Sequence, residues 1–242
     1  MKNSIRIGML TPSSNTVLEP VTCAMLADIP GVSVHFSRFR VTEIALSDRA
    51  LHQFNLAPIL EAAQLLADAQ VDVIAWNGTS AGWLGFDADV QLCQQIEAIT
   101  QIPATTSILA LNEIFARQKI QRFGLVTPYL QEVQQQIIHN YRQAGWDCVA
   151  EQHLERQNNF SFSEVSAAEI GSMVRTVAAA QPQAITTFCT NLRAAPLVEA
   201  LEQETGMAIY DTIAVVVWKC LQLTGVDPGL VKGWGRLFQQ FL

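Results

Sequence analysis

The chain has 242 residues, half of them hydrophobic and only 15% charged, with a net charge of −7 at neutral pH. That is enough apolar material for one large domain or two small ones, and the lack of a basic cluster gives nucleic-acid binding no footing. No apolar run approaches the roughly 20 residues of a membrane helix, and the N-terminus lacks a secretory h-region. The expectation is therefore a soluble, cytoplasmic protein with neither membrane nor nucleic-acid partner; the sequence does not speak to its oligomeric state.

In chain order, Arg6 to Leu10 reads as a strand ending in Thr11-Pro12-Ser13-Ser14-Asn15-Thr16, a turn rich in helix-capping residues. A helical segment covers Val21 to Leu26. Val32 to Phe39 alternates like a strand. Pro58 to Ala69 places Ile59, Leu60, Ala63, Leu66 and Ala67 on one helical face. Val71 to Trp76 is a short apolar strand, followed by a glycine-punctuated loop from Gly78 to Gly85 and a helix running to about Thr100. Ile102 to Ser107 is a further strand that turns into a helix over Ile108 to Arg117.

Then the pattern repeats. Gln121 to Pro128 mirrors Ile5 to Pro12, Gln183 to Asn191 mirrors Asp72 to Ser80, and Thr205 to Ile213 loosely mirrors Thr100 to Ile108. Three matches in order, with a period of about 110 residues, indicate an internal duplication. Helices are expected over Gln131 to Ala144 and Ser166 to Ala180, the second opened by the capping box Ser166-Ala167-Ala168-Glu169. Alternating strands and helices with continuously apolar strands predict an α/β fold of two pseudo-symmetric domains. Each would be a parallel sheet flanked by helices. The predicted first domain spans 1–110 plus 216–242 and the second 111–215, because the helical stretch from Ile213 has no counterpart in the first half and is expected to pack back on it.

In open parallel sheets, ligands sit beyond the carboxyl ends of the strands. Six such ends carry hydroxyls or amides, among them Thr11 to Asn15, Gly78 to Ser80, Thr127 to Tyr129 and Cys189 to Asn191. Several precede helices, whose free N–H groups favour anions. Singly, each Ser or Thr reads equally well as a helix cap. The five cysteines, 23, 93, 148, 189 and 220, have no close pairing, so neither a disulfide framework nor a zinc site is expected. Four are assigned to packing, and Cys189 alone falls at a strand end in the repeat. The four histidines show no metal-ligand spacing and no nucleotide-binding fingerprint is present, so no metal or cofactor is expected.

These motifs carry a resemblance. Over nearly its full length the chain resembles the aspartate/glutamate racemase superfamily, in particular the arylmalonate decarboxylases and the maleate cis-trans isomerases. Pro12-Ser13-Ser14-Asn15-Thr16 is similar to the isomerase opening. Gly78-Thr79-Ser80 is similar to the decarboxylase form of the first strand end, where racemases and isomerases keep a cysteine. Cys189 matches the second family cysteine, and Tyr129 a tyrosine that helps to bind carboxylate. The resemblance implies a site in the interdomain cleft that works without a cofactor on a small carboxylate.

The lopsided pair Gly78/Cys189 shapes the expectation. Racemisation needs an acid and a base on opposite faces, and Gly78 removes one of them. Decarboxylation needs only a site that stabilises an enediolate and one proton donor. A free thiol titrating near 8.5 is mostly protonated at neutrality. The leading expectation is thus decarboxylation of a substituted malonate-like diacid. Cys189 would donate the proton, and Thr79, Ser80, Tyr129, Thr190 and the amides near Cys189 would hold the retained carboxylate. Pro12, Ser13, Asn15, Gly78 and Asn191 complete the substrate-binding candidates, with Trp83, Leu84, Phe39 and Phe160 as apolar walls (Phe39 reading more simply as core). Moving the cysteine from 189 to 78 would then reverse the product's handedness. Ser13-Ser14-Asn15 and Asn191-Leu192-Arg193 depart from the decarboxylase pattern, and Arg193 could pair with a second carboxylate. The alternatives are an isomerase or racemase using Cys189, since thiol addition to an alkene needs a single thiolate, and a non-catalytic dicarboxylate binder.

Overall fold

A computed structural model describes residues 4–239. Strands β1 (Ile5–Pro12), β2 (Val32–Phe39), β3 (Val73–Trp76) and β4 (Ala104–Thr106) form one parallel sheet in the order β2-β1-β3-β4. Strands β5 (Arg122–Val126), β6 (Asp147–Gln152), β7 (Ala184–Thr187) and β8 (Ala208–Asp211) repeat that order as β6-β5-β7-β8, again all parallel. The helices are α1 (Leu18–Leu26), α2 (Asp48–Leu51), α3 (Leu56–Asp68), α4 (Ala81–Leu84), α5 (Phe86–Thr100), α6 (Ser107–Arg117), α7 (Gln131–Gln143), α8 (Ala167–Ala178), α9 (Val198–Thr205) and α10 (Thr212–Leu223). The segment read as a loop from Gly78 to Gly85 thus contains a helical turn, α4. β6 and α9, which the sequence reading did not anticipate, complete the second half.

The repeated glycine of the central strands has a packing cause. A methyl group on Gly124 would overlap Val177 of α8, and one on Gly8 would press on Val71 and Leu66 of the corresponding layer. At both places the covering chain lies directly on the strand backbone, which only glycine allows. The flanking residues are buried on both faces, as a parallel sheet covered on both sides requires.

α10 packs against α6, α1, β3 and β4 as well as β8. Nine of its twelve residues are buried. The two halves share one continuous core: Phe86 stands edge-on to Tyr141 at 4.9 Å, and Phe115 and Phe123 approach to 5.4 Å. Asn140 of α7 donates to the carbonyls of Gly82 and Trp83 in α4.

Asp89 of α5 is buried near this seam, and its Oδ2 has no partner among the described residues. Burial raises its pKa to about 7, against a smaller opposing effect of the Thr106 hydroxyl. Because the folded value lies above the unfolded one, the stability this group contributes is fully present below about pH 4. It is lost as pH rises through 7. Asp89→Asn is expected to flatten that dependence and to raise stability at pH 8 by on the order of 2–4 kcal/mol. Urea denaturation at pH 5 and pH 8 measures this; a variant no more stable than the parent at pH 8 would contradict it.

Candidate active site

In each sheet the central strand runs between neighbours reached by crossovers in opposite directions, β1 between β2 and β3, and β5 between β6 and β7. A crevice opens at such a switch point, beyond the carboxyl ends. The registers Leu10 with Trp76 and Val126 with Thr187 bring the ends of β1 and β3, and of β5 and β7, level with one another. The two crevices face each other, and the polar strand ends meet between them.

Cys189 follows β7 and is only 2% exposed. The Tyr129 hydroxyl reaches its sulfur, as do the backbone N–H groups of Asn191 and Leu192. Burial pushes the thiol up to about 12; the Asp211 carboxylate adds to the rise, and the three hydrogen bonds oppose it. The thiol is therefore held protonated far more firmly than a free cysteine would be. The Tyr129 hydroxyl also lies 2.7 Å from Thr79 Oγ1. Tyr129 is fixed by edge contacts with Trp83 and Phe162, both at 5.5 Å, and by its N–H to Thr127 Oγ1. Thr79, Tyr129 and Cys189 thus form a hydrogen-bonded chain from one half of the protein to the other.

These groups surround a cavity of about 20 Å³, lined by Pro12, Gly78, Thr79, Ser80, Tyr129, Cys189 and Thr190 from the expected set. Val41, Ile44, Phe54, Trp76, Trp83 and Asn159 complete the wall. The space suffices for about one water molecule. A dicarboxylate needs it to widen. The roof consists of two loops paired across the halves, with Ile44 N–H donating to Gln157 O and Asn159 N–H to Thr42 O. A larger open groove of about 630 Å³ lies at the opposite end of β1, beside Ser4, Pro30 and Leu230. It gathers neither thiol nor convergent hydroxyls, so the small cavity is the candidate site.

Four expected polar contacts fall elsewhere. Asn15 is buried beside the cleft, but its Oδ1 accepts from the Val17 and Leu18 N–H groups and its Nδ2 donates to Thr190 Oγ1. It caps α1 and orients Thr190. Asn191 joins the halves, accepting from Thr16 N–H and donating to Asn159 O. Ser13 bonds to the Val41 backbone in both directions. Arg193 turns away, its Nε on Ser163 O. Of the apolar candidates Trp83 lines the cavity, whereas Leu84 and Phe160, 40% and 50% exposed, do not, and Phe39 packs on Trp76. Glu19 pairs with Arg38, which donates to the carbonyls of Ser13 and Asn15 and so braces the end of β1. Among the described residues, no group of three His, Cys, Asp or Glu side chains is placed to hold a metal ion.

The family model for arylmalonate decarboxylase matches residues 7–238. A curated maleate isomerase of Pseudomonas putida is 25% identical over 249 residues, covering 98% of each chain. Among solved structures, a cysteine-to-serine variant of the Nocardia farcinica maleate cis-trans isomerase, bearing a covalently bound succinylcysteine intermediate, superposes with a TM-score of 0.88. It has 24% identity and covers 98% of this chain and 99% of that one. A doubly substituted arylmalonate decarboxylase in its liganded form gives a TM-score of 0.85 at 18% identity, over 98% of this chain and 100% of that chain.

Proposed function

The chain belongs to the arylmalonate decarboxylase family, and from that premise we propose that it is a cis-trans isomerase of a small unsaturated dicarboxylate of the maleate type, with the Cys189 thiol as its reacting group. One observation carries the reading: a single thiol faces the same cavity as the hydroxyls of Thr79, Ser80 and Tyr129. Similarity to maleate isomerases along almost the whole chain supports the choice of reaction.

The chemistry needs no second thiol. The thiol gives up its proton to solvent, and the thiolate sulfur bonds to one alkene carbon while the π pair moves toward the carboxylate on the other, giving an enediolate. Thr79, Ser80 and Tyr129 stabilise that oxygen charge as it develops. The central bond is now single and rotates. Return of the electron pair expels sulfur, which recovers its proton, so nothing is gained or lost.

Decarboxylation of a malonate-like diacid, the leading expectation from the sequence, becomes the second reading. Full-length relatives named maleate isomerase outweigh the motif at Gly78-Thr79-Ser80. It keeps one specific support, the firmly protonated thiol opposite a residue with no side chain. Both readings share the enediolate and differ in what the thiol does to carbon.

Incubation with maleate and with phenylmalonate, followed by proton NMR, separates them. The proposed function predicts fumarate from maleate. Phenylacetate from phenylmalonate with no fumarate would replace it by the second reading, and turnover of neither would refute both. The pH profile is a further discriminator. If sulfur attacks as thiolate, kcat/KM rises about tenfold per pH unit without levelling below pH 11, since the thiol titrates at about 12. If the thiol donates a proton, the rate stays flat across pH 7 to 10, because the acid form does not run out.

A further inference from the structure

We propose that Trp76 is the specificity-determining residue of this site. Its indole fills the space beside Gly78 that a second acid–base side chain would need, and so confines chemistry to the Cys189 face of the substrate. The inference rests on the reading that the substrate lies between these two walls.

The last residue of β3 sends its side chain into the cavity wall, 1% exposed. A methyl group built on Gly78 would overlap indole atoms Cζ2, Cε2 and Cη2. Those atoms belong to a rigid ring and cannot fold aside like the end of a flexible chain. The ring is itself held: Phe39 packs on it at 4.9 Å, and its Nε1–H donates to Ser80 Oγ at 3.2 Å. Its backbone is paired to Leu10 on one side and Thr106 on the other. Gly78 is therefore more than a missing thiol; any side chain there is excluded while residue 76 is tryptophan. The indole bond also occupies a Ser80 lone pair, which leaves the Ser80 O–H free to donate to a substrate carboxylate.

This revises the expectation that a cysteine moved from 189 to 78 would simply work from the opposite face. In the present wall Gly78→Cys forces either the strand end or the indole out of place, the usual penalty of overpacking a filled core.

The test is a four-protein cycle: parent, Gly78→Cys, Trp76→Leu, and both together, all retaining Cys189. Urea midpoints are read first, without substrate. Gly78→Cys is expected to lower the midpoint in the parent and to have little effect in the Trp76→Leu background, the non-additivity that marks direct contact. Each protein is then incubated with enantiopure methylsuccinate in deuterated buffer, and racemisation with α-deuteration is followed by chiral chromatography and NMR. The double variant, with a thiol on each face, is expected to racemise at least about tenfold faster than either single variant, the lower end of the range for general acid–base groups being higher still.

Equal loss of stability from Gly78→Cys in both backgrounds overturns the proposal, as does racemisation by Gly78→Cys alone at the rate of the double variant. So does a folded double variant with no gain over either single variant. If Trp76→Leu proves too unstable for the cycle, Trp76→Phe, which keeps a ring against Phe39 but lacks the outer indole atoms, takes its place with the same expectations. Failure of the parent to turn over maleate or phenylmalonate would sink the proposed function, whereas the urea cycle judges Trp76 without any substrate.

Discussion

Cys189→Ser is expected to reduce kcat/KM by about 10²–10⁴-fold, the span contributed by a reacting acid–base group, while the fold survives. A serine hydroxyl fits the space of the thiol and can keep the hydrogen bonds from Tyr129 and from the N–H groups of Asn191 and Leu192. What it cannot do is add to an alkene or release a proton with comparable ease. Activity should therefore collapse with little change in thermal midpoint. Activity within tenfold of the parent would remove the thiol from the reaction under either reading. The other cysteines provide the control. Cys93 and Cys220 are buried away from the cavity and Cys23 is exposed on α1, so Cys23→Ser should leave turnover unchanged.

The second large effect is structural. Asp211→Ala is expected to cost on the order of 3–5 kcal/mol, a substantial fraction of the stability of a typical domain. The Asp211 carboxylate accepts from Ile213 N–H at 2.8 Å and Ala214 N–H at 3.3 Å, capping α10. Its other oxygen accepts from the Thr187 hydroxyl at 2.8 Å. Losing a helix cap costs about 0.5–2 kcal/mol, and orphaning a buried donor about 1–3 more. α10 runs through the shared core, so the damage is not confined to a fraying end. Asp211→Asn keeps an acceptor for the cap and should be milder.

The Asn substitution also separates structure from electrostatics. Burial raises the Asp211 carboxyl to about 6, partly offset by its hydrogen bonds. Stability from this group is thus fully present below about pH 4 and lost as pH rises through 6. Asp211→Asn removes that dependence and takes away a charge that holds the Cys189 thiol up. An unchanged Tm for Asp211→Ala, measured by calorimetry, would show that the cap contributes little.

Much of this site was readable in the sequence because the repeat marked it. Gly78 and Cys189 stand at matching places in two copies of one strand–turn unit, and strand ends of parallel sheets are where ligands gather. The same logic marks the strand end Thr127 to Tyr129 after β5, and the family resemblance singles out Tyr129 within it. What escaped was whatever tertiary pairing decides. Val41, Ile44, Phe54 and Asn159 sit in segments with no period to read, and become wall residues only because two loops pair across the halves. The adjacent amides Asn158-Asn159 were the one hint, a polar pair between predicted elements. β6 was missed because Asp147–Gln152 is a half-exposed edge strand without an apolar run. Asn15 and Asn191 are substrate-binding candidates in the sequence, whereas in the fold nearby backbone N–H and C=O groups occupy their amides. Trp76 reads as strand in the sequence, yet nothing in a sequence says that an indole will lie across the glycine two residues on.

The aromatic seam between the halves has a consequence for access. Phe86, Phe115, Phe123, Tyr141 and Phe188 interlock in one cluster that ties α5 and α6 of the first half to β5, α7 and the end of β7 in the second. Hinge-bending of the two domains would tear that cluster apart and expose several large rings at once. The paired loops above the cavity are held by few cross-links, so their parting would disturb neither sheet. Turnover by such an enzyme would be paced by a small gate on a stiff frame, and added viscosity or a crosslink between the two loops would slow it, whereas a crosslink across the aromatic cluster would not.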